Sequence, residues 1–278
     1  MVHVVIDSTA QVPAELLQRY KNLHVVPLRV IIGSEEWAEN RLHTTELFSL
    51  ARSKGHHPKT SQPAPGDFIS VLKPLIADGH QIIVITLSGG LSGTVGGARA
   101  AAQMVESNNI IVVDSGTTAM GMVQMARAAL TMAEAGETLE SIAQLVENMA
   151  RLTYTMFVPN TLEYLHKGGR IGGAAALFGT ILQIKPLLYL VNGKVAVLDK
   201  VRTRPRAVSR MVEELKKQER LAYIGVGYID CKDEAEAVGR QLKELYPDTP
   251  IIMSELGPVL GVHLGPGLIG LIYQEAIS

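Results

Sequence analysis

The chain has 278 residues, of which 47% are hydrophobic and only 5% aromatic, and its formal net charge is −1. A charge this close to zero gives no electrostatic reason to expect nucleic acid or an acidic membrane surface as a partner. The single cysteine, Cys231, excludes an intrachain disulfide and a cysteine-based metal cluster. No apolar run reaches the ~18 residues of a membrane span, and the N-terminus lacks the features of a signal peptide. We therefore expect a soluble, cytoplasmic α/β protein with an aliphatic core.

The first part of the chain reads as short strands and helices joined by polar turns. Residues 2–6 are predicted as a buried strand, and residues 24–32 as one edge or bulged strand, because Pro27 cannot donate a sheet hydrogen bond. Two prolines and a glycine predict that residues 59–67 form a fixed loop rather than a regular element. Helices are expected from Pro13, over residues 44–54 and over residues 67–78.

Residues 82–94, with the sequence IIVITLSGGLSGT, are the most informative stretch. They begin as a buried strand, break at a glycine-rich turn and lead into an alanine-rich helix, which is the first half of a βαβ unit. Amides at the helix N-terminus, together with the hydroxyls of Ser92 and Thr94, suit an anion. The stretch is neither a Walker A loop nor a dinucleotide fingerprint, and Thr94 replaces the last glycine of a G-x-S-x-G elbow. Helix capping by Ser92 or Thr94 remains the alternative to an anion site.

Polar turns also follow two other predicted strands. Residues 110–113 form a strand that ends at Asp114, and helices are expected over residues 119–135 and 139–150. Strand, polar turn and helix thus recur at Asp7, Ser88 and Asp114, which predicts a parallel sheet with its polar loops at one edge, where open α/β sheets bind ligands. For Asp7 and Asp114 themselves, we favour helix N-capping over acid chemistry.

The pattern changes after residue 151, where we place a domain boundary. The prediction is an N-terminal parallel-sheet α/β domain over residues 1–151, packed on a smaller mixed-sheet α/β domain over residues 152–278. Asn192-Gly193 predicts a hairpin of residues 187–198. A basic glycine loop is expected at residues 166–173 and a glycine-proline loop at residues 257–267. The other expected strands are at residues 154–158, 223–228, 251–253 and 268–273. Helices are expected at residues 160–165, 174–184 and 234–245, and a further helix is expected to end at about residue 217.

Three polar candidates have a structural interpretation beside the functional one. His263 lies between glycines in the last loop and has no second histidine at metal-ligand spacing, so we expect no metal, and a structural role is its alternative. Thr60 and Ser61 could be turn or cap residues in front of the next helix.

The second half has two further features with open interpretations. Arginines at alternate positions lead into a helix and could form a solvated face or meet a phosphate-bearing or acidic partner; they are Arg202, Arg204 and Arg206. The apolar residues of 174–191 could be core or could line a slot for an aliphatic ligand.

Six motifs occur in order along the whole chain: VIDSTA at 5–10, KTSQP at 59–63, LSGT at 91–94, VDS at 113–115, LHKGGRI at 165–171 and GVHLGPG at 261–267. As a set they resemble the DegV family of fatty-acid-binding proteins, which includes the acyl-carrying subunit of bacterial fatty-acid kinase. The resemblance implies two α/β domains with one long-chain fatty acid buried between them. It also implies a carrier without cofactor, metal or catalytic activity of its own.

The same resemblance implies which residues form the site. The fatty-acid carboxylate would lie on the hydroxyls of Thr60 and Ser92, with His263 nearby and with Ser61 and Gly93 beside them. In the kinase system a separate ATP-binding subunit phosphorylates that carboxylate. Arginines matching Arg170 and Arg202 are implied to dock this partner.

Two other classes of function remain open at this point. An esterase or acyltransferase would use Ser92 as nucleophile and His263 as base, but the elbow glycine and an acid partner are missing. A carbohydrate- or phosphate-binding module would use the glycine loops. The sequence does not determine the length or unsaturation of an acyl chain, or the oligomeric state.

Overall fold

The computed structural model describes residues 1–179 and 184–277. The strands of these residues are β1 (Val2–Asp7), β2 (Leu23–Val26), β3 (Arg29–Ile32), β4 (Glu35–Ala38), β5 (Lys59–Ser61), β6 (Gln81–Thr86), β7 (Ile110–Asp114), β8 (Thr153–Val158), β9 (Lys185–Val191), β10 (Lys194–Val201), β11 (Leu221–Ile229), β12 (Ile251–Glu255) and β13 (Leu268–Glu275). The α-helices are α1 (Ala14–Arg19), α2 (Thr44–Lys54), α3 (Pro65–Ala77), α4 (Thr94–Val105), α5 (Met120–Glu134), α6 (Leu139–Arg151), α7 (Glu163–Lys167), α8 (Arg204–Leu215), α9 (Lys232–Leu245) and α10 (Pro258–Leu264).

The predicted parallel sheet is confirmed. Its four strands have the order β2-β1-β6-β7, and all three pairings are parallel. Every residue of β1 is buried, and so is nearly all of β6, which explains their runs of β-branched side chains on both faces. Because the strands are parallel, the polar turns after β1, β6 and β7 meet at one edge of the sheet.

The strand predicted over residues 24–32 is wrong as a single element. The chain leaves the parallel sheet after β2, and Leu28 donates its amide to Ser8 Oγ at 2.9 Å instead of to a strand. Strand β3 then joins a separate antiparallel sheet of order β4-β3-β5. Pro27 causes the break because it has no N–H to continue the first ladder.

Residues 59–61, which were expected in a loop, form the edge strand β5 of this small sheet. Thr60 lies opposite Val30 in the antiparallel pairing of β3 and β5. The prediction of an irregular loop is therefore wrong for these three residues, although it holds for Gln62 to Ala64. The backbone pairing fixes the Thr60 side chain more firmly than a loop would.

The second half is organised around a mixed sheet of order β10-β9-β8-β13-β11-β12. Only β11 and β12 pair in parallel, and with six strands this sheet is larger than the parallel sheet, although a smaller one was expected. The predicted hairpin is confirmed as β9 and β10. Asn192 and Gly193 have φ of 49° and 73°, the positive values that a two-residue hairpin turn requires.

The loop predicted over residues 257–267 contains the short helix α10, so that prediction is wrong at its centre. Pro258 occupies the first turn, where no amide is needed, and Gly265 ends the helix. Val259 and Val262 belong to the same core cluster as β1, and the helix contacts α2, β3 and β5. A C-terminal segment thus reaches into the first half of the molecule.

Two other expectations in the second half need correction. The helix expected over residues 160–165 begins later, as α7. The apolar residues 172–177 form a 3₁₀ helix rather than an α-helix, and residues 180–183 of the helix expected over 174–184 lie outside the described residues. The boundary at residue 151 falls between the end of α6 and the start of β8 and stays a prediction.

Candidate functional site

The motifs from the two halves meet at Thr60 and His263. Thr60 Oγ1 on β5 and His263 Nε2 on the last turn of α10 lie 2.7 Å apart and share a hydrogen bond. The two residues are 203 positions apart in the chain, so the contact exists because α10 packs against β5 and β3. Which atom donates depends on the imidazole tautomer.

Ser92 belongs to the loop in front of α4. The amides of Leu91 and Ser92 both donate to the carbonyl of Ser88, which folds the loop back on itself. Ser92 Oγ lies 2.9 Å from Thr94 Oγ1 and accepts the Thr94 amide at 3.3 Å. Ser92 therefore binds the first amide of α4 but is not its N-cap, which is Gly93 without a side-chain cap, and Ser92 also lines the cavity described next.

Thr60, Ser92 and His263 line one cavity, together with Arg170. We call these four side chains the clamp. Ser61 is not among the residues that line this cavity, because neighbouring side chains on a strand point to opposite faces. Gly93 lines an adjoining outer pocket that Ser92 and Arg170 also reach. The structure thus brings three of the five predicted carboxylate-site residues to one surface.

Arg170, which the resemblance implies to dock the partner, also joins the two halves of the molecule. Its Nε donates to the carbonyl of Leu91 at 3.0 Å and its Nη1 donates to the carbonyl of Gly168 at 2.7 Å. The first bond ties the basic glycine loop of the second half to the Ser92 loop of the first. A guanidinium in this position brings a positive charge to the clamp.

Arg202, by contrast, is exposed, and no ion pair involves it among the described residues. The neighbouring arginines of the series are paired: Arg204 with Glu234, and Arg206 with Glu213. The expected cationic series is therefore mostly neutralised within helices α8 and α9.

The imidazole of His263 is largely buried. Burial lowers its pKa to about 4, and the positive charge of Arg170 and the ring of His57 add to this effect. His263 is therefore neutral at pH 7 and can donate one hydrogen bond and accept another. Its Nδ1 has no hydrogen-bond partner within the described ranges.

The esterase interpretation finds no support in this geometry. The near partner of His263 is Thr60, whereas the hydroxyl of Ser92 faces Thr94. Within residues 1–179 and 184–277, no carboxylate is hydrogen-bonded to His263, so no acid orients it as a base. We therefore do not assign a catalytic pair.

Behind the clamp the cavity is lined mainly by aliphatic and aromatic side chains from both halves. Its empty space, counted together with the open solvent at its mouth, is about 860 Å³. The polar exceptions there are Thr118 and Thr155, and apolar lining residues include Leu28, Leu87, Met156, Phe157, Leu190 and Leu260. We call this apolar part the slot.

Sequence reasoning did not use Gln62, although it is part of the KTSQP motif. The side-chain amide of Gln62 packs so closely on Gly93 that a Cβ at this position would collide with it. The loop after β5 therefore lies directly on the Ser92 loop. Contact between these two loops brings Thr60 and Ser92 to the same cavity. The proline beside Gln62 was a signal of a fixed chain path that could have suggested this role.

A second missed contact joins the Ser88 loop to the hairpin turn of the second half. Ser88 Oγ donates to the carbonyl of Gly193 at 2.9 Å and accepts the Gly90 amide at 3.1 Å. A Cβ at Gly90 would lie 2.5 Å from the Gly193 carbonyl, so only glycine allows this approach. The contact lies beside the outer pocket, which Gly90 and Lys194 line.

The described ranges hold neither a metal-binding cluster nor a membrane-spanning helix. No cluster of three or more His, Cys, Asp or Glu side chains there has a geometry that could hold a metal ion. None of the described helices combines the length and the apolar composition that crossing a membrane would require.

Comparisons with known proteins agree over the whole chain. The DegV family model, described as "Uncharacterised protein, DegV family", matches residues 1–276. A DegV domain-containing protein of Clostridium acetobutylicum is 34% identical over 98% of this chain and 97% of its own length.

Solved structures give the same result. A fatty-acid-binding DegV family protein from Thermus thermophilus matches with a TM-score of 0.88 at 32% identity, covering 99% of both chains. DegV of Bacillus subtilis, a fatty-acid-binding protein, matches with a TM-score of 0.87 at 29% identity over 99% of both chains. The predicted resemblance is confirmed, and the chain belongs to the DegV family.

Proposed function

We propose that this protein is a cytoplasmic, non-enzymatic carrier that binds one long-chain fatty acid, with the carboxylate at the clamp and the tail in the slot. The observation that carries the proposal is the contact between Thr60 and His263 at the polar end of a mainly apolar cavity, beside Ser92 and Arg170. The fatty-acid-binding relatives from Thermus thermophilus and Bacillus subtilis support the same ligand class.

The chemistry of the clamp suits a carboxylate. Hydroxyls and a guanidinium are good donors to a charged oxygen, and such hydrogen bonds are stronger than neutral ones. Neutral His263 can donate one more bond without adding a second full charge to that of Arg170. A carboxylate in this position would meet donors from the loops of both halves.

The slot supplies the affinity. Burial of an acyl tail contributes about 0.8 kcal/mol for each CH₂ group, so a chain of ~16 carbons would contribute ~12 kcal/mol before ordering costs. The polar clamp then fixes the direction of the chain in the cavity, with the acid group toward the solvent opening.

We further propose that the bound carboxylate is presented to an ATP-binding kinase subunit. Arg202 supports this role because it is exposed and lacks an ion-pair partner within the described part of the chain. Its replacement by alanine should leave fatty-acid binding intact and reduce phosphorylation by such a subunit, whereas Arg206→Ala, which breaks only a surface pair with Glu213, is the matched control.

The direct test is organic extraction of protein purified from a bacterial host, with mass analysis of the extract. We expect one fatty acid per chain, and titration of stripped protein with hexadecanoic acid should restore the complex. Extracts without fatty acid, together with no binding on titration, would contradict the proposal. Hydrolysis of a p-nitrophenyl ester that disappears in Ser92→Ala would favour an enzyme instead.

A further inference from the structure

A buried carboxyl group lies at the start of the Ser92 loop. Asp7, at the end of β1, is fully buried. Its Oδ2 accepts the amide of Leu87 at 2.6 Å, and its Oδ1 accepts both the amide and the hydroxyl of Thr9. Leu87 is the residue at which the chain leaves β6 and enters the loop that carries Ser92.

A second buried carboxyl group lies at the start of α10. The Glu39 residue is only 3% exposed. Its Oε2 accepts the hydroxyl of Ser8 at 2.5 Å, and its Oε1 accepts the amide of Val259 at 3.3 Å. Val259 is in the first turn of α10, one helical turn before His263.

Ser8 joins these two carboxyl groups to the segment that carries Thr60. It follows Asp7 directly, binds Glu39, and its Oγ accepts the amide of Leu28 at 2.9 Å. Leu28 leads into β3, on which β5 and Thr60 are paired. The Asp7–Ser8–Glu39 cluster therefore holds the backbone at the base of all three segments that carry Thr60, Ser92 and His263.

We propose that Asp7 and Glu39 are positioning residues of the fatty-acid clamp, and that the clamp keeps its geometry only while at least one of the two carboxyl groups is protonated. The inference rests on the proposed function, because it assigns the residues that hold the proposed carboxylate site together.

The surroundings explain why one proton matters. Burial raises the pKa of Asp7 to about 6 and that of Glu39 to about 7, and the negative charge of Asp7 contributes to the second shift. The cavity beside Glu39 is lined by the titratable side chains of His43 and Glu255, and no lysine or arginine lines it within the described residues. Loss of the last proton would leave two buried negative charges, with no lysine or arginine among the described residues that line the cavity beside Glu39, and moving the segments apart would relieve their repulsion.

Because both pKa values are raised, fatty-acid affinity should fall with rising pH. A proton held by Asp7 or Glu39 favours the assembled clamp. The affinity for fatty acid is therefore highest below about pH 6 and falls as the pH rises through the pKa of Glu39, about 7. Glu39→Gln keeps a carbonyl acceptor for the Val259 amide and cannot ionise. It therefore mimics the protonated state at every pH.

The test is titration with hexadecanoic acid by calorimetry at pH 6.5 and pH 8.5. We expect the affinity of the wild-type protein to fall about threefold to tenfold between these values, because a single coupled proton changes a binding constant by at most tenfold per pH unit. Glu39→Gln should change less than about twofold. Ionisation of the ligand itself affects both proteins equally and cancels in their comparison.

Control variants keep the result interpretable. Glu140→Gln changes an exposed glutamate at the start of α6 and should follow the wild-type profile. Asp7→Asn, which also removes one buried charge, should flatten the profile as well and replaces Glu39→Gln if that variant does not fold. A merely structural role would lower stability without changing the pH profile of binding.

Two negative outcomes can be told apart. If the wild-type protein binds the fatty acid and the profiles of wild type, Glu39→Gln and Asp7→Asn run parallel, the positioning role is refuted while the proposed function stands. If the wild-type protein binds no fatty acid at either pH, the proposed function fails, and the positioning role fails with it.

Discussion

The two edges of the parallel sheet differ in their chemistry. At the carboxyl edge, the buried acids Asp7 and Glu39 accept backbone amides and hydroxyls, and burial raises their pKa to about 6 and 7. At the opposite edge, His3 lies between two other histidines, with its Nδ1 2.9 Å from His24 Nε2 and its ring 4.4 Å from that of His80. Burial, followed by the neighbouring rings, lowers the pKa of His3 to about 4.

We infer that the two edges of this sheet serve different purposes. Polar groups at the carboxyl edge are joined to three segments that end in the clamp. The histidines at the other edge contact mainly one another, His3 Nε2 has no partner among the described residues, and the described residues contain no metal-binding geometry. We therefore expect changes at the first edge to alter ligand binding and changes at the second to alter only stability.

The largest effect is expected at the clamp itself. Thr60→Val or Ser92→Ala should weaken fatty-acid binding about tenfold to a hundredfold, because a hydrogen bond to a charged acceptor contributes roughly 1.5–3 kcal/mol. The double variant should lose less than the sum of both, since the hydroxyls would hold the same pair of oxygens. Calorimetric titration with hexadecanoic acid measures this, and Ser70→Ala on the exposed side of α3 is a control. Unchanged affinity in both single variants would exclude the proposed site.

A smaller effect is expected where the hairpin turn meets the Ser88 loop. Gly90→Ala should weaken binding severalfold and lower the unfolding free energy by about 1–3 kcal/mol, because its Cβ would press on the backbone of Gly193. Gly96→Ala in α4 is the matched control, since nothing lies within 4 Å of its Cβ, and it should stabilise the helix. Thermal unfolding and titration of both variants would test this. Equal behaviour of the two variants would show that the close approach is unimportant.

The smallest effect on ligand binding is expected at the histidine edge, where only the stability should change. Because the pKa of His3 is lowered from 6.5 to about 4, the unfolded chain takes up a proton in this window and the folded chain does not. The folding stability is therefore highest above about pH 6.5 and falls as the pH drops toward 4, by at most about 3 kcal/mol. His3→Val should remove this part of the pH dependence without changing ligand affinity. The exposed His56→Gln variant is the control, and an unaltered pH profile in His3→Val would contradict the assignment.

The sequence predicted the elements that have a strong local pattern. The parallel strands have continuous β-branched runs, and Asn192-Gly193 is a strong turn signal, so both were predicted correctly. Strand β5 has only three residues, and α10 has only seven within a glycine-proline segment, so neither is long enough to show a recognisable hydrophobic periodicity. Their structure depends on packing between distant segments, which local patterns do not contain.

The site, too, was predicted only where motifs in the sequence indicate it and not where it depends on packing between distant segments. The resemblance identified Thr60, Ser92 and His263, which share the cavity, but it did not indicate that Arg170 lines the same cavity and binds the carbonyl of Leu91 beside Ser92. Glu39 lies in a run of polar residues that reads as exposed, and its burial depends on α10, 220 positions away. No spacing in the sequence connects these two segments.

The central claim is that the carboxylate of a fatty acid lies at the clamp, and a crystal structure of the complex with hexadecanoic acid tests it most directly. We expect a carboxylate oxygen within about 3.2 Å of the hydroxyls of Thr60 and Ser92, with the tail extending along the slot past Met156 and Leu260. A fatty acid bound in the opposite direction, with its methyl end at Thr60, or bound outside this cavity, would contradict the account.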